Sequence, residues 1–224
     1  MKNILPILTL LLLSACGGDN AEYDQTAEAD DAEQAMDEAV AAAYTGQNAD
    51  LVAEFNAGAE ILMAAIDGVN GDQWTYRESD DRWSIAEICE HIVMAEQGIV
   101  GGFVTNLVSG EASTDDTGEY AEKDAGIRTY IRDRSNPVQT SEEMEPKGIY
   151  ATPEEAIAAF KEVREQTLEF LMTTDADFRA YSGTVTEEIE PMDAYQWLIF
   201  SAGHVERHSA QIEQVKAHEG YPAI

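Results

Sequence analysis

Apolar residues recur at helical spacing in four stretches of this chain. From Asp50 to about Val69, Leu51, Phe55, Ile61, Leu62, Ala65 and Ile66 mark one face, and Gly68 and Gly71 close the stretch. Apolar positions three and four apart are the signature of an amphipathic helix. Ser84-Ile85-Ala86-Glu87 is a capping box, a hydroxyl followed three residues later by a carboxylate. It predicts a second helix to about Val108 on a stripe of Ile85, Ile88, Cys89, Ile92, Ala95, Ile99 and Phe103. Thr152-Pro153-Glu154-Glu155 opens a third helix, with Pro at its first helical position. That helix runs to about Met172 and turns Ala156, Phe160, Val163, Thr167, Phe170 and Leu171 inward. Pro191 begins a last helix that reaches about His218.

Four long helices and no convincing set of strands predict an all-α fold, a four-helix bundle over residues 48–224. Residues 109–151 form a long crossover between the second and third helices, with a short helical piece near Ala121 to Arg132. Connections of that length cross a bundle or cover a site.

The N-terminus follows a different pattern. Ile4 to Leu13 is an apolar run too short for a membrane span of about 20 residues. It fits a secretory signal. Leu13-Ser14-Ala15-Cys16 directly after it resembles the bacterial lipobox, in which the cysteine is diacylated and becomes the mature N-terminus. Residues 1–16 are therefore expected to be a lipoprotein signal peptide ending in the lipidated Cys16. Two acyl chains anchor stably where one does not. The expected location is a bacterial membrane, on its periplasmic or extracellular face, with the outer membrane as the default. Residues 17–47 carry nine acidic residues and no Lys or Arg. They read as an acidic flexible tether that cannot bury enough apolar surface to order itself.

Charge narrows the partners. The chain has 13 Lys+Arg against 44 Asp+Glu, a net charge of −31. Phosphate backbones need clustered Lys and Arg, so nucleic acid is excluded as a partner, and so is a polybasic membrane contact. The remaining partners are the membrane through its lipid, a small-molecule ligand, and a second copy in a homodimer. With Cys16 spent on lipid, Cys89 is left without an intrachain partner. It falls in an apolar stripe and reads as a small buried hydrophobe.

Only four histidines occur. His204 and His208 stand four apart, one above the other on one face of the last helix. They share that side with Trp197, Ser201, Gln211 and Val215 and border the apolar arc of Leu198, Ala202, Val205 and Ile212. His91 borders the stripe of the second helix in the same way. A lone inward histidine, or a lone HxxxH, is most often a hydrogen-bonded core residue. Three inward histidines on two helices of one bundle also suit zinc, nickel, copper or ferrous iron. Three imidazoles leave coordination positions open, as catalytic rather than structural zinc sites do.

Trp83-Ser84-Ile85-Ala86-Glu87-Ile88-Cys89-Glu90-His91-Ile92 resembles the W-S-x-x-E-x-x-x-H-hydrophobic opening of the second helix in the DinB/YfiT-like superfamily. His204-x-x-x-His208 sits late in the last helix, as in that superfamily. The resemblance spans roughly residues 50–218. It implies a DinB-like four-helix bundle that binds a divalent metal (zinc, nickel or iron) through His91, His204 and His208. It also implies relatives that include thiol-dependent transferases and a maleylpyruvate isomerase. A lipoprotein signal departs from those cytosolic relatives, and reduced thiol cosubstrates are scarce outside the cytosol.

Other groups read differently. Glu96 falls inside the apolar stripe of the second helix, where a carboxylate must be paired or protonated. It either orients a metal-bound histidine or pairs with a buried Tyr or Arg. Glu87 belongs to the capping box, and His218 complements a helix C-terminus. Trp74, Trp83 and Trp197 read as core and wall. Three readings fit: a metal-dependent hydrolase, transferase or isomerase; a non-catalytic metal- or ligand-binding lipoprotein; and a vestigial histidine group in a purely structural domain. The sequence assigns no catalytic residue and no substrate.

Overall fold

The computed structural model describes residues 44–113, 120–135, 139–185 and 190–223. The expected signal peptide, Cys16 and the tether as far as residue 43 lie outside the described residues. The helices are α1 (Ala49–Ile66), α2 (Gly71–Trp74), α3 (Ile85–Glu96), α4 (Thr105–Val108), α5 (Tyr120–Arg132), α6 (Pro153–Thr173) and α7 (Ala194–Lys216). A π-helical segment, Gln97–Val104, joins α3 to α4. A short antiparallel pair, β1 (Ser182–Gly183) and β2 (Met192–Asp193), precedes α7. Among the described residues, no helix is long and apolar enough to cross a membrane.

The caps explain where the long helices begin. Ser84 Oγ accepts the Glu87 amide, and the Glu87 carboxylate accepts the Ser84 amide at 2.9 Å. Thr152 caps α6, with Pro153 at its first position. α7 begins at Ala194 rather than at Pro191, because Met192 and Asp193 pair with β1 and Asp193 then closes a capping box with Gln196.

The core divides into two apolar layers along the bundle. One holds Leu62, Ile88, Ile92, Phe160, Val205 and Ile212. The other holds Leu51, Phe55, Val100, Val104, Leu171 and Leu198. Read through these layers, α1 and α7 run one way, and α3 and α6 run the other. Two parallel neighbours cannot be joined by a tight turn, which is why a long crossover links α3 to α6. α5 lies within that crossover, against α7. A Cβ on Gly203 would sit 2.4 Å from Ile131 Cγ2, so only glycine admits Ile131 there. Arg179 ties the other end of α5 down, bonding Asp124 at 2.5 Å and Asp193 at 2.9 Å.

Two details depart from the sequence pattern. The second helix is not one α-helix to Val108. After Glu96 its turns widen, and the buried positions become Val100 and Val104, with Ile99 and Phe103 only partly buried. A π-turn accommodates one extra residue, which moves the stripe by one position. Ile61 is 43% exposed, since Leu62 beside it takes the inner position.

Between the layers lies a polar pair. Arg164 Nε and Nη2 donate to the two oxygens of Glu96 at 2.8 and 2.6 Å. Its Nη1 donates to the Phe55 carbonyl. The guanidinium is packed between the Phe55 and Phe160 rings, 4.9 and 4.8 Å from their centroids. Glu96 is therefore a structural partner of Arg164 that joins α3 and α6, not an orienter of a histidine.

Candidate metal centre

His91 sits two turns into α3, its height set by the Ser84–Glu87 cap. His204 and His208 lie one turn apart on α7. The structure brings these three together: one ring nitrogen from each lies within 4.8 Å of the others. His91 and His208 are buried, and His204 is partly so. Ring centroids are 4.7 Å apart for His91 and His208, and 4.3 Å for His204 and His208. Trp83 packs against His91 at 4.8 Å, and Phe200 stacks on His204 at 6.2 Å.

Hydrogen bonds fix the tautomers. His91 Nδ1 lies 3.0 Å from the Met144 carbonyl, an acceptor, so Nδ1 carries the proton and Nε2 keeps its lone pair. His208 Nδ1 donates to Gln211 Oε1 at 2.9 Å, with the same result. His208 Nε2 faces His204 Nε2 at 3.1 Å. Two lone pairs face each other at that distance only with a cation or a shared proton between them. Nitrogens about 2.0–2.1 Å from a tetrahedral ion stand roughly 3.3 Å apart, close to the spacing found.

Met144 is held in place by Glu90. Glu90 is buried, and its carboxylate accepts the amides of Lys147, Gly148 and Ile149 at 2.8, 2.6 and 3.1 Å. Gly148 has φ +72, which lets the chain turn around the carboxylate. The end of the crossover is thus clamped to α3 beside His91.

Burial lowers the pKa of all three imidazoles, that of His208 to about 3. Among charge effects, His208 and His91 act most on His204, and His91 acts most on His208. The rings are neutral donors at ordinary pH, the state a metal requires.

The other groups lie elsewhere or serve the fold. His218 Nδ1 meets the Tyr76 hydroxyl at 2.5 Å and takes no part in the histidine group. Glu87 keeps its capping role and pairs with Arg77. Burial pushes the Cys89 thiol up to about 12, so it is an inert core residue. Trp74 and Trp197 are core residues, and Trp83 walls the histidines. Glu90 and the Met144 carbonyl were not legible in the sequence. Glu90's partners are backbone amides, which have no side-chain signature, and Pro146 and Gly148 hinted only at a turn there.

A family model described as the DinB superfamily matches residues 54–212, and the chain belongs to that superfamily. DinB-like proteins bind metal, and this chain carries a three-histidine group able to hold one. No curated protein and no solved structure matches the chain.

Proposed function

We propose that this chain is a membrane-tethered metalloprotein that uses His91, His204 and His208 to hold one divalent ion for work on a small molecule. The observation that carries this reading is the convergence of three neutral imidazoles, two buried and one partly buried, two of them with Nδ1 already committed to an acceptor. The donor set fits zinc, nickel or ferrous iron. Such an ion would supply Lewis acidity, or activate water or a thiol, at its open positions. The chain's own part is to keep the rings neutral, to aim them through Met144 and Gln211, and to exclude water with Trp83 and the crossover. Lipid on Cys16 and the acidic tether would hold the bundle away from a membrane surface. A hydrolytic, transfer or isomerisation reaction is favoured over passive capture because three ligands leave positions open.

Metal content tests this directly. The untagged lipid-free protein is expected to carry about one transition-metal ion per chain by mass spectrometry, consistent with one three-ligand site. The variant His91→Ala plus His204→Ala should carry almost none. Equal content in both would remove the site.

Glu90 gives a graded test. Glu90→Gln weakens the clamp on residues 147–149 and loosens the Met144 acceptor of His91. Loss of such an outer partner weakens metal affinity by about 10–100-fold. Competition with a chromogenic chelator should show that drop, with full loading still reached at saturating zinc. An unchanged affinity would mean that His91 needs no help from the loop.

A further inference from the structure

Positive charge is scarce in this chain, and most of it is neutralised in place. Arg77, Arg82, Arg128, Arg132, Arg164 and Arg179 each pair with a carboxylate. Arg134 does not. Its Nη1 donates to the Arg207 carbonyl and its Nη2 to Gln214 Oε1, both at 3.1 Å and both neutral acceptors. No carboxylate among the described residues forms an ion pair with it. Acids outnumber bases by more than three to one here, so a partly buried guanidinium without a carboxylate is unexpected.

Its position is specific. Arg207, Gln211 and Gln214 lie on one stripe of α7, and Arg134 bridges the two ends of it. The middle residue, Gln211, holds His208. On the helix, Arg207 stands about 60° around from His204, on the solvent side of the histidine face. Burial and then the charges of Arg207 and Arg82 lower the pKa of Arg134, and the Glu78 carboxylate opposes them more weakly. Arg134 and Arg207 also act on His208. The nearby acids are engaged. Glu78 pairs with Arg82 and accepts Gln214, and Asp133 is turned into its own loop, accepting the Ser135 amide at 2.8 Å. An open surface groove of about 680 Å³ lies on the Gln214 side of this flank, lined by Glu78, Ser79, Arg82, Gln214, Ala217 and His218 and not by Arg134 itself. The rise from residue 208 to residue 214 is about 9 Å, the length of a small metabolite.

We propose that Arg134, set on the Arg207–Gln214 flank of α7, anchors the anionic end of the substrate, a carboxylate or phosphate whose other end reaches the histidine-bound metal. This rests on the reading of the three histidines as a metal site. Guanidinium forks bind carboxylate and phosphate through charge-assisted hydrogen bonds.

The test uses the cobalt-loaded protein and reads its visible spectrum during titration with inorganic phosphate and, separately, with succinate. Metal content is measured in parallel. At least one of the two anions is expected to bind. R134Q should weaken that binding by at least about tenfold, the loss of one charge-assisted contact, with metal content unchanged. R134K keeps the charge without the fork and should fall between. Lys161→Gln removes the same charge from a different helix, α6, and should stay within about twofold of the parent. Equal affinity in R134Q and the parent overturns the proposal, as does an equal loss in Lys161→Gln or no binding of either anion. If R134Q unfolds, R134K decides by the same criterion. A parent protein that takes up no cobalt overturns the metal reading, and this proposal with it, and the metal content alone identifies that case.

Discussion

Arg164→Ala should destabilise the protein by about 3–5 kcal/mol in urea unfolding, the cost of removing one partner of a buried ion pair. Glu96 is 1% exposed and Arg164 6%, so water cannot replace the missing partner. The substitution also frees the Phe55 carbonyl and leaves a void between two aromatic rings. Glu96→Gln should also be costly, because its amide nitrogen would face an Arg164 donor and the buried guanidinium would lose its counter-charge. The double variant Glu96→Leu plus Arg164→Met removes both charges and keeps the volume. Pairs replaced this way are often neutral or stabilised, so it should recover most of the loss. A single Arg164→Ala change within about 0.5 kcal/mol of the parent, the range of an ordinary surface substitution, would show that the layer is wetter than its burial indicates.

That pair also shows what can be read before a structure exists. A carboxylate in an apolar stripe announces that it has a partner. It does not announce which, since Glu96 and Arg164 lie 68 residues apart on parallel helices. Helix starts were legible because capping is local, a hydroxyl and a carboxylate three residues apart. The π-helical turn was not, because widening depends on whether Val100 or Ile99 finds the core, which is decided by α6 and α7. The histidine triad was legible from spacing and from the opening of the second helix. The hydrogen bonds that aim the rings were only half so. Gln211 shares a helix face with His208, whereas Met144 reaches His91 from the crossover, through a loop clamped by backbone amides.

The metal-free chain should lose stability steeply as pH falls from 7 to 5. His208 has a folded pKa of about 3, while an unfolded histidine titrates near 6.5. The unfolded state therefore takes up a proton first as the solution is acidified. Stability is full above the unfolded value and declines as pH drops through it towards the folded one. For His208 alone the loss between pH 7 and pH 5 is about 2 kcal/mol. His91 and His204 are shifted the same way, so their losses add. Chelator-treated protein unfolded in urea at several pH values measures the slope. The triple variant His91→Gln, His204→Gln, His208→Gln has no titrating ring in the site and should be nearly flat across that window. Parallel curves for the two proteins would mean that the rings protonate as freely in the fold as outside it. The same burial that makes the site a liability in acid keeps the rings neutral near pH 6, where exposed imidazoles would already be about three-quarters protonated. A site that stays neutral there competes for metal on coordination alone.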